Sequence, residues 1–183
     1  MKLDLSFWKN ASPRRKRLYS TIFIFLVAVL LTVIGSCVPL SHQDATSISN
    51  DINQTRSTYE ANGGLTQFIF VNNFSICLLM FIPIIGPMLG FYILFNTGIA
   101  LGAIATTNGY PVILVLISLG ITPLFWLEFA TYSIAITESI WLVRRIMQRR
   151  WREIKNTGIL IGLCAALLII GAIVEAWIIT AFG

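Results

Sequence analysis

Residues 68–102, FIFVNNFSICLLMFIPIIGPMLGFYILFNTGIALG, are almost entirely apolar and carry no charge. A strand in a soluble core is only about 5–6 residues long, so this run is far too long for one. A helix that faces only lipid would not carry so many polar and helix-breaking residues. They are three asparagines, two prolines and four glycines: Asn72, Asn73, Asn96, Pro83, Pro87, Gly86, Gly90, Gly98 and Gly102. The stretch therefore predicts membrane-embedded helix that is packed inside protein.

The composition of the whole chain excludes the soluble globular class. Of its 183 residues, 56% are hydrophobic and 11% are charged, against about 25% charged in ordinary soluble domains. The net charge of +5 would suit a nucleic-acid partner, but twelve of the thirteen Lys and Arg residues lie in two clusters, 2–17 and 144–155. Basic clusters beside apolar spans follow the positive-inside rule. We therefore predict a lipid bilayer as the partner, with anionic headgroups at the basic segments, and no nucleic acid.

The pattern predicts an all-α, polytopic transmembrane helical bundle of about five spans in the plasma membrane. A cytoplasmic interfacial segment, 1–18, precedes a single transmembrane domain, 19–183. The polar residues 41–64 are rich in Ser, Asn and Thr, so we expect a flexible extracytoplasmic loop there, whereas 144–156 form a cytoplasmic basic segment. The N-terminus is then cytoplasmic and the C-terminus extracytoplasmic. The predicted spans are 19–40, 65–82, 87–106, 111–143 and 157–181.

The first apolar run also resembles the core of a signal peptide, because basic residues precede it. That core is typically about 7–15 residues long, whereas this run is close to twenty. We therefore expect a true membrane span. Ser12 and Pro13 suit a helix N-cap followed by proline in the first turn.

Residues 111–143 are too long for one straight span. A single helix of this length would measure about 50 Å, against a hydrocarbon core of about 30 Å. Gly120 and Pro123 mark the predicted break, and Pro83–Pro87 marks another. Because 41–64 and 144–156 are predicted on opposite sides, the chain between them must cross an odd number of times. Three crossings fit, and one crossing plus re-entrant pieces is the alternative.

Two sets of glycines predict close helix packing. Gly86, Gly90, Gly98 and Gly102 share one helix face, and Gly158 and Gly162 repeat the spacing near the C-terminus. Small residues four apart let helix backbones approach closely in lipid. A narrow pore, or close contact with a partner subunit, is the functional alternative to packing within the chain.

Glu128 is the most informative ionisable residue, because it lies near the middle of the 111–143 run. A carboxylate at that depth is expected to face protein and to find polar partners. Asn72, Asn73 and Asn96 are the candidates, and together they could line a small polar cavity. The site either binds a proton or ion, or is a hydrogen-bonded network that fixes helix register. Glu138 lies closer to an interface, where we expect a solvated helix end within reach of Arg144 or Arg145.

No catalytic pattern is visible in the sequence. It contains no GxSxG, HExxH or P-loop motif, and its three cysteines each lie in an apolar segment. We therefore expect no catalytic, cofactor-binding or metal site and no enzymatic activity, except as a structural subunit of an enzyme complex.

Three motifs follow one another along the chain: Phe68-xxx-Asn72-Asn73, then Gly86-xxx-Gly90 continuing through Asn96, Gly98 and Gly102, then Pro123-xxxx-Glu128. Together they resemble the stage II sporulation protein M family, over roughly residues 15–180. The resemblance implies a multi-spanning protein with a cytoplasmic N-terminus. Members from spore formers act in a membrane complex that holds cell-wall hydrolases during engulfment. Family members commonly carry His-Gly after the proline, where this chain has Leu124 and Phe125, so no role of that His is carried over.

Three functional hypotheses follow, and we favour the first. The chain is a non-catalytic scaffold or accessory subunit that packs against other integral membrane subunits of a larger complex. The alternative is a small-solute or ion/proton transporter or channel that uses Glu128 with Asn72, Asn73 and Asn96. An intramembrane enzyme has no residue in its favour beyond Glu128.

Overall fold

The computed structural model describes residues 11–149 and 154–182. Within them every regular element is an α-helix, which confirms the predicted helical bundle. The predicted interfacial helix in 1–10 and the middle of the basic segment, 150–153, lie outside the described residues. The helices are α1 (Pro13–Ser36), α2 (His42–Ala61), α3 (Leu65–Met80), α4 (Ile85–Thr107), α5 (Val112–Ile121), α6 (Pro123–Met147) and α7 (Ile154–Phe182).

Among the described residues, three helices are long and apolar enough to cross a membrane: α1, α4 and α7. The count rises to four if α5 and α6 together form one broken span. The prediction was about five. The difference is α3, which has 16 residues and measures about 24 Å, short of a hydrocarbon core of about 30 Å.

Both predicted helix breaks are present. The helix of the second predicted span ends at Met80 and the next begins at Ile85, on either side of Pro83. Ile84 in this turn has a φ of 72°, a conformation that a β-branched residue rarely adopts. The second break lies at Thr122, immediately before Pro123, where α5 and α6 meet at 84°. The broken arrangement follows because Pro123 lacks an N–H and disfavours helix in the residue before it.

The segment 41–64 is not the predicted flexible loop, because most of it forms α2. Ser41 caps the helix: its Oγ accepts from the backbone N–H of Asp44 at 3.1 Å and donates to the Asp44 carboxylate at 2.6 Å. Ala45 and Ser49, four residues apart, are buried, and α2 packs against α4. A Ser/Thr/Asn-rich composition favours loops, but here a capped first turn and a small-residue face outweigh it.

The core is built around the contact between α1 and α4, the most extensive helix pair. Thr32 Oγ1 donates to the carbonyl oxygen of Leu94 at 3.1 Å, which ties the two backbones together. Around this contact, buried side chains of α1, α3, α4, α6 and α7 form one hydrophobic cluster. It includes Ala28, Cys77, Leu94, Phe129, Ile136 and Leu168.

The two ends of the bundle differ in charge. At one end, the guanidinium groups of Arg17 and Arg144 lie 5.8 and 5.7 Å from the centre of the Trp141 ring. The start of α1 and the end of α6 therefore meet there, and we call it the basic end. At the opposite end, Tyr59 of α2 stacks on Phe68 of α3, with ring centres 4.1 Å apart. The polar helix α2 thus lies at the end of the bundle away from the basic clusters.

Candidate functional site

A buried ion pair lies at the basic end. Arg145 Nη1 donates to Glu138 Oε1 at 2.6 Å, and the two residues are 4% and 2% exposed. Thr157 Oγ1 donates to the same carboxylate oxygen at 2.7 Å. Arg17, which is partly exposed, lies 3.8 Å from Glu138 Oε2. We call these four residues the Glu138 cluster.

The cluster joins three helices through one carboxylate. Glu138 and Arg145 are seven residues apart on α6, so they share a face two turns apart. Thr157 comes from α7 and Arg17 from α1. Immediately beside Glu138, Ser139 Oγ donates to the carbonyl oxygen of Ile82 at 2.6 Å, in the turn between α3 and α4. One turn of α6 therefore fixes the relative positions of four other elements.

The prediction for Glu138 is half right. Its contact with Arg145 is present, but its side chain is buried, not a solvated helix end. A buried carboxylate needs a partnered charge and hydrogen bonds to offset its desolvation, and this cluster supplies both. The i, i+7 spacing was the signal available in the sequence. The contribution of Thr157 had no local signal, because it comes from another helix.

The second polar cluster surrounds Glu128. Asn73 Nδ2 donates to Glu128 Oε1 at 2.7 Å, and Asn72 Nδ2 donates to Asn73 Oδ1 at 3.3 Å. We call these three residues the Glu128 cluster. Asn96 is not part of it, since its amide donates to the carbonyl oxygen of Tyr92 within its own helix at 2.8 Å. The structure thus brings together two of the three asparagines proposed as partners of Glu128.

A cavity lined by five polar and five apolar side chains lies beside the Glu128 cluster, between α2, α3 and α7. Its volume is about 420 Å³. Glu175 of α7 and Arg56 of α2 both line it. The remaining polar side chains of the wall are Asp51, Thr55 and Asn72. The cavity reaches the Glu128 cluster at Asn72, whereas Glu128 itself does not line it.

The glycines of α4 are all buried and face neighbouring backbone or core side chains. A Cβ on Gly98 would overlap the carbonyl oxygen of Thr32, and one on Gly102 would lie 2.7 Å from the carbonyl oxygen of Ser36. A Cβ on Gly90 would lie 2.7 Å from Ile136 Cδ1, and one on Gly86 would overlap the carbonyl oxygen of Met80. These positions are therefore filled by the chain itself.

The glycines of α7 are different. Nothing in the described structure lies within 4 Å of a Cβ built on Gly158 or Gly162. Both are exposed, as is Ala166 one turn further along. This side of α7 has no packing partner among the described residues, whereas the opposite side carries the buried Cys164 and Leu168.

The described residues offer little for catalysis. Across 11–149 and 154–182, no group of three or more His, Cys, Asp and Glu side chains could hold a metal ion. Cys77 and Cys164 are buried, and Cys164 Sγ contacts the carbonyl oxygen of Thr131 at 4.0 Å.

Comparison with known families identifies the chain. A family model described as stage II sporulation protein M matches residues 21–179. The chain belongs to the stage II sporulation protein M family. Comparison with curated proteins gave no match, and comparison with solved structures gave none either.

Family membership and the apolar helices together make this a membrane protein. The matched region contains both polar clusters except Arg17. Two motifs that carried the resemblance, Asn72-Asn73 and Pro123-xxxx-Glu128, meet in space through the 2.7 Å contact between Asn73 and Glu128. The other motif, the glycine face of α4, lies against α1 and α6.

Proposed function

We propose that this member of the stage II sporulation protein M family is a non-catalytic scaffold or accessory subunit of a larger membrane complex. The observation that carries the proposal is the open glycine face of α7. Gly158 and Gly162 have nothing within 4 Å, although the same spacing in α4 is filled by the chain. In lipid, such faces favour close approach of another helix. The partner is a helix of another integral membrane subunit.

The short helix α5 supports the same proposal. It has ten residues and no buried side chain, and Ile113, Ile117 and Ile121 are 60%, 52% and 75% exposed. At about 15 Å it is too short to cross a bilayer alone. It is apolar on all sides except for Ser118, so it lacks the charged face of a helix that lies at the membrane surface. A second membrane chain against α5 would cover it.

The proposed topology is multi-pass in the plasma membrane with the basic end in the cytoplasm. Its basis is the positive-inside rule and the meeting of Arg17 and Arg144 over Trp141. The N-terminus is then cytoplasmic and α2 and the C-terminus lie outside. This topology requires five crossings: α1, the short α3, α4, the broken pair α5 and α6, and α7. In this orientation α2 is the polar surface available to extracytoplasmic partners.

The test is co-purification from native membranes in mild detergent. The double variant Gly158→Leu/Gly162→Leu is expected to lose most of the co-migrating integral subunits, because leucine side chains keep the partner backbone away. Its own fold should be intact, since both positions are open. The matched control, Gly158→Ala/Gly162→Ala, keeps a small-residue face and should retain the partners. The proposal is contradicted if the leucine variant retains as many co-migrating subunits as the unaltered protein. It is also contradicted if the unaltered chain purifies alone from native membranes.

The cavity between α2, α3 and α7 favours a second candidate function, which is transport of a small solute, ion or proton. A cavity of about 420 Å³ with Arg56 and Glu175 in its wall lies beside a carboxylate within the bundle. Intramembrane carboxylates are typical of proton and ion pathways. Asn73 would hold Glu128 in position, and Asn72 would line the entrance.

Flux in liposomes tests this alternative. If the chain transports, purified protein should give a proton-coupled flux that Glu128→Gln abolishes. Glu60→Gln is the control, because Glu60 is exposed and lines a different cavity. Absence of flux from the unaltered protein, or unchanged flux in Glu128→Gln, would exclude this function.

A further inference from the structure

A cavity at the basic end is lined by four cations and no acid. Its volume is about 330 Å³, and its charged residues are Lys16, Arg17, Arg144 and Arg145. Arg145 is neutralised by Glu138 at 2.6 Å, and Arg17 lies 3.8 Å from the same carboxylate. Within the described part of the chain, neither Lys16 nor Arg144 lies within salt-bridge distance of a carboxylate. The cavity therefore keeps an excess of positive charge.

An apolar groove continues from this cavity towards the middle of the bundle. Its volume is about 540 Å³, and it runs between α1 and α6, from Tyr19 to Leu26 on one side and from Trp141 to Thr137 on the other. Trp141 lines both spaces. From Tyr19 to Leu26 the groove extends about 10 Å along the helix axis. Phe23 and Ile140 in its walls are 64% and 47% exposed.

One buried hydroxyl in the groove has no partner. Thr137 is 4% exposed, and its Oγ1 has no hydrogen-bond partner among the described residues. The protein covers this oxygen, so it reaches an acceptor in the groove only when the Thr137 side chain rotates, and an unpartnered buried donor is costly enough to favour that rotation. Thr137 lies one turn of α6 deeper in the groove than Trp141, which lines both the groove and the basic cavity.

We propose that the basic cavity and the apolar groove together form a binding site for one anionic diacyl phospholipid. Lys16 and Arg144 bind the headgroup phosphate, the Thr137 hydroxyl donates to an ester carbonyl, and one acyl chain occupies the groove. From the basic cavity inwards, the charges, the hydroxyl and the apolar wall follow the same order as the phosphate, the ester and the hydrocarbon of a lipid. Basic pockets between membrane helices recognise anionic headgroups in this way.

The site differs from a general attraction between basic residues and an anionic membrane. Arg14 and Arg15 are also basic and exposed at the start of α1, but neither lines the cavity or the groove. They provide a control that removes the same number of charges, two, from the turn of α1 that also holds Lys16. Arg17 and Arg145 are unsuitable as test positions because both contact Glu138.

The headgroup is tested by titrating the delipidated full-length protein with palmitoyl-oleoyl phosphatidylglycerol and measuring bound lipid by native mass spectrometry. One lipid per chain should bind more tightly than phosphatidylcholine. Lys16→Gln/Arg144→Gln should weaken binding about 30-fold, at about fivefold per cation. Arg14→Gln/Arg15→Gln should weaken it less than about threefold, because these charges act only through screened solvent. Equal binding of the two lipids, or equal losses in the two double variants, would overturn the proposal.

The groove is tested with chain length. Ile140→Trp fills the groove and should weaken palmitoyl-oleoyl phosphatidylglycerol about tenfold, while leaving dihexanoyl phosphatidylglycerol unchanged. Thr137→Val should weaken the long-chain lipid about threefold or more, as expected for one lost hydrogen bond. Competition by millimolar inorganic phosphate as strong as that of the lipid would indicate a free phosphate site instead. Unchanged affinity in Ile140→Trp would likewise contradict the assignment of the groove to an acyl chain.

Discussion

The Glu138 cluster and the Glu128 cluster each place a carboxylate inside an apolar bundle, but they satisfy it differently. Glu138 is paired with a buried guanidinium and a hydroxyl, at 2.6 and 2.7 Å. Glu128 has one neutral amide donor, Asn73, at 2.7 Å. The first arrangement stabilises a fixed negative charge. The second holds the carboxyl group through a hydrogen bond from a neutral side chain.

This difference indicates a structural role for Glu138 and leaves Glu128 as the candidate for a functional role. Glu138 joins α1, α6 and α7 at the basic end, so altering it should disturb the fold. Glu128 is held through one side chain, that of Asn73, so altering it should leave the fold intact. Making the same substitution at each of the two carboxylates is therefore the most direct test of this assignment.

Glu138→Gln should have the largest effect on stability. It leaves Arg145 buried without a counter-charge, and removal of one partner of a buried ion pair typically costs about 3–5 kcal/mol. The measurement is the shift in an SDS-induced unfolding curve in mixed micelles. Glu138→Met/Arg145→Met removes both charges and should recover most of the loss. A single variant no less stable than the double variant would show that the pair is not structural.

Thr157→Val should have the next largest effect, and only at the Glu138 cluster. The substitution keeps the shape of the side chain but removes the 2.7 Å hydrogen bond to Glu138. Hydrogen bonds to charged groups contribute about 1.5–3 kcal/mol. The same unfolding assay measures the loss. Thr180→Val is the control, because Thr180 Oγ1 bonds only to backbone carbonyls of its own helix, and it should shift the curve much less.

Sequence reasoning found what depends on spacing within one element. Composition indicated the membrane class, and Pro83 and Pro123 indicated both breaks. The spacing of Glu138 and Arg145 suggested their contact. It could not supply Thr157, because the approach of α7 to α6 depends on the packing of the whole bundle. For the same reason, nothing local distinguished the filled glycine face of α4 from the open face of α7.

The segment 41–64 shows the other kind of miss. Its residues have low helix propensity, and we predicted a loop from that property. The helix instead begins at the Ser41–Asp44 cap, which is visible in the sequence, and is stabilised by burial of Ala45 and Ser49 against α4, which is not. Tertiary burial therefore outweighed intrinsic propensity.

Asn73→Leu should have a smaller effect than either change at the Glu138 cluster. It removes the 2.7 Å bond to Glu128, and side-chain hydrogen bonds between membrane helices contribute about 0.6–1.7 kcal/mol. Asn96→Leu is the matched control, since that amide bonds only to its own helix. If both variants lost the same stability in the unfolding assay, Asn73 would contribute no more to the bundle than Asn96, and the Glu128 cluster would not link its helices.

Glu128→Gln should have the smallest effect on stability, within about 0.5 kcal/mol of the unaltered protein. Glutamine has the same size and keeps the Oε1 acceptor for Asn73, so fold and packing have no reason to change. The unfolding curve should therefore overlay that of the unaltered protein, in contrast to the same substitution at Glu138. A loss as large as that of Glu138→Gln would make both carboxylates structural. Intact stability together with altered flux or altered partner recovery would assign a functional role to Glu128.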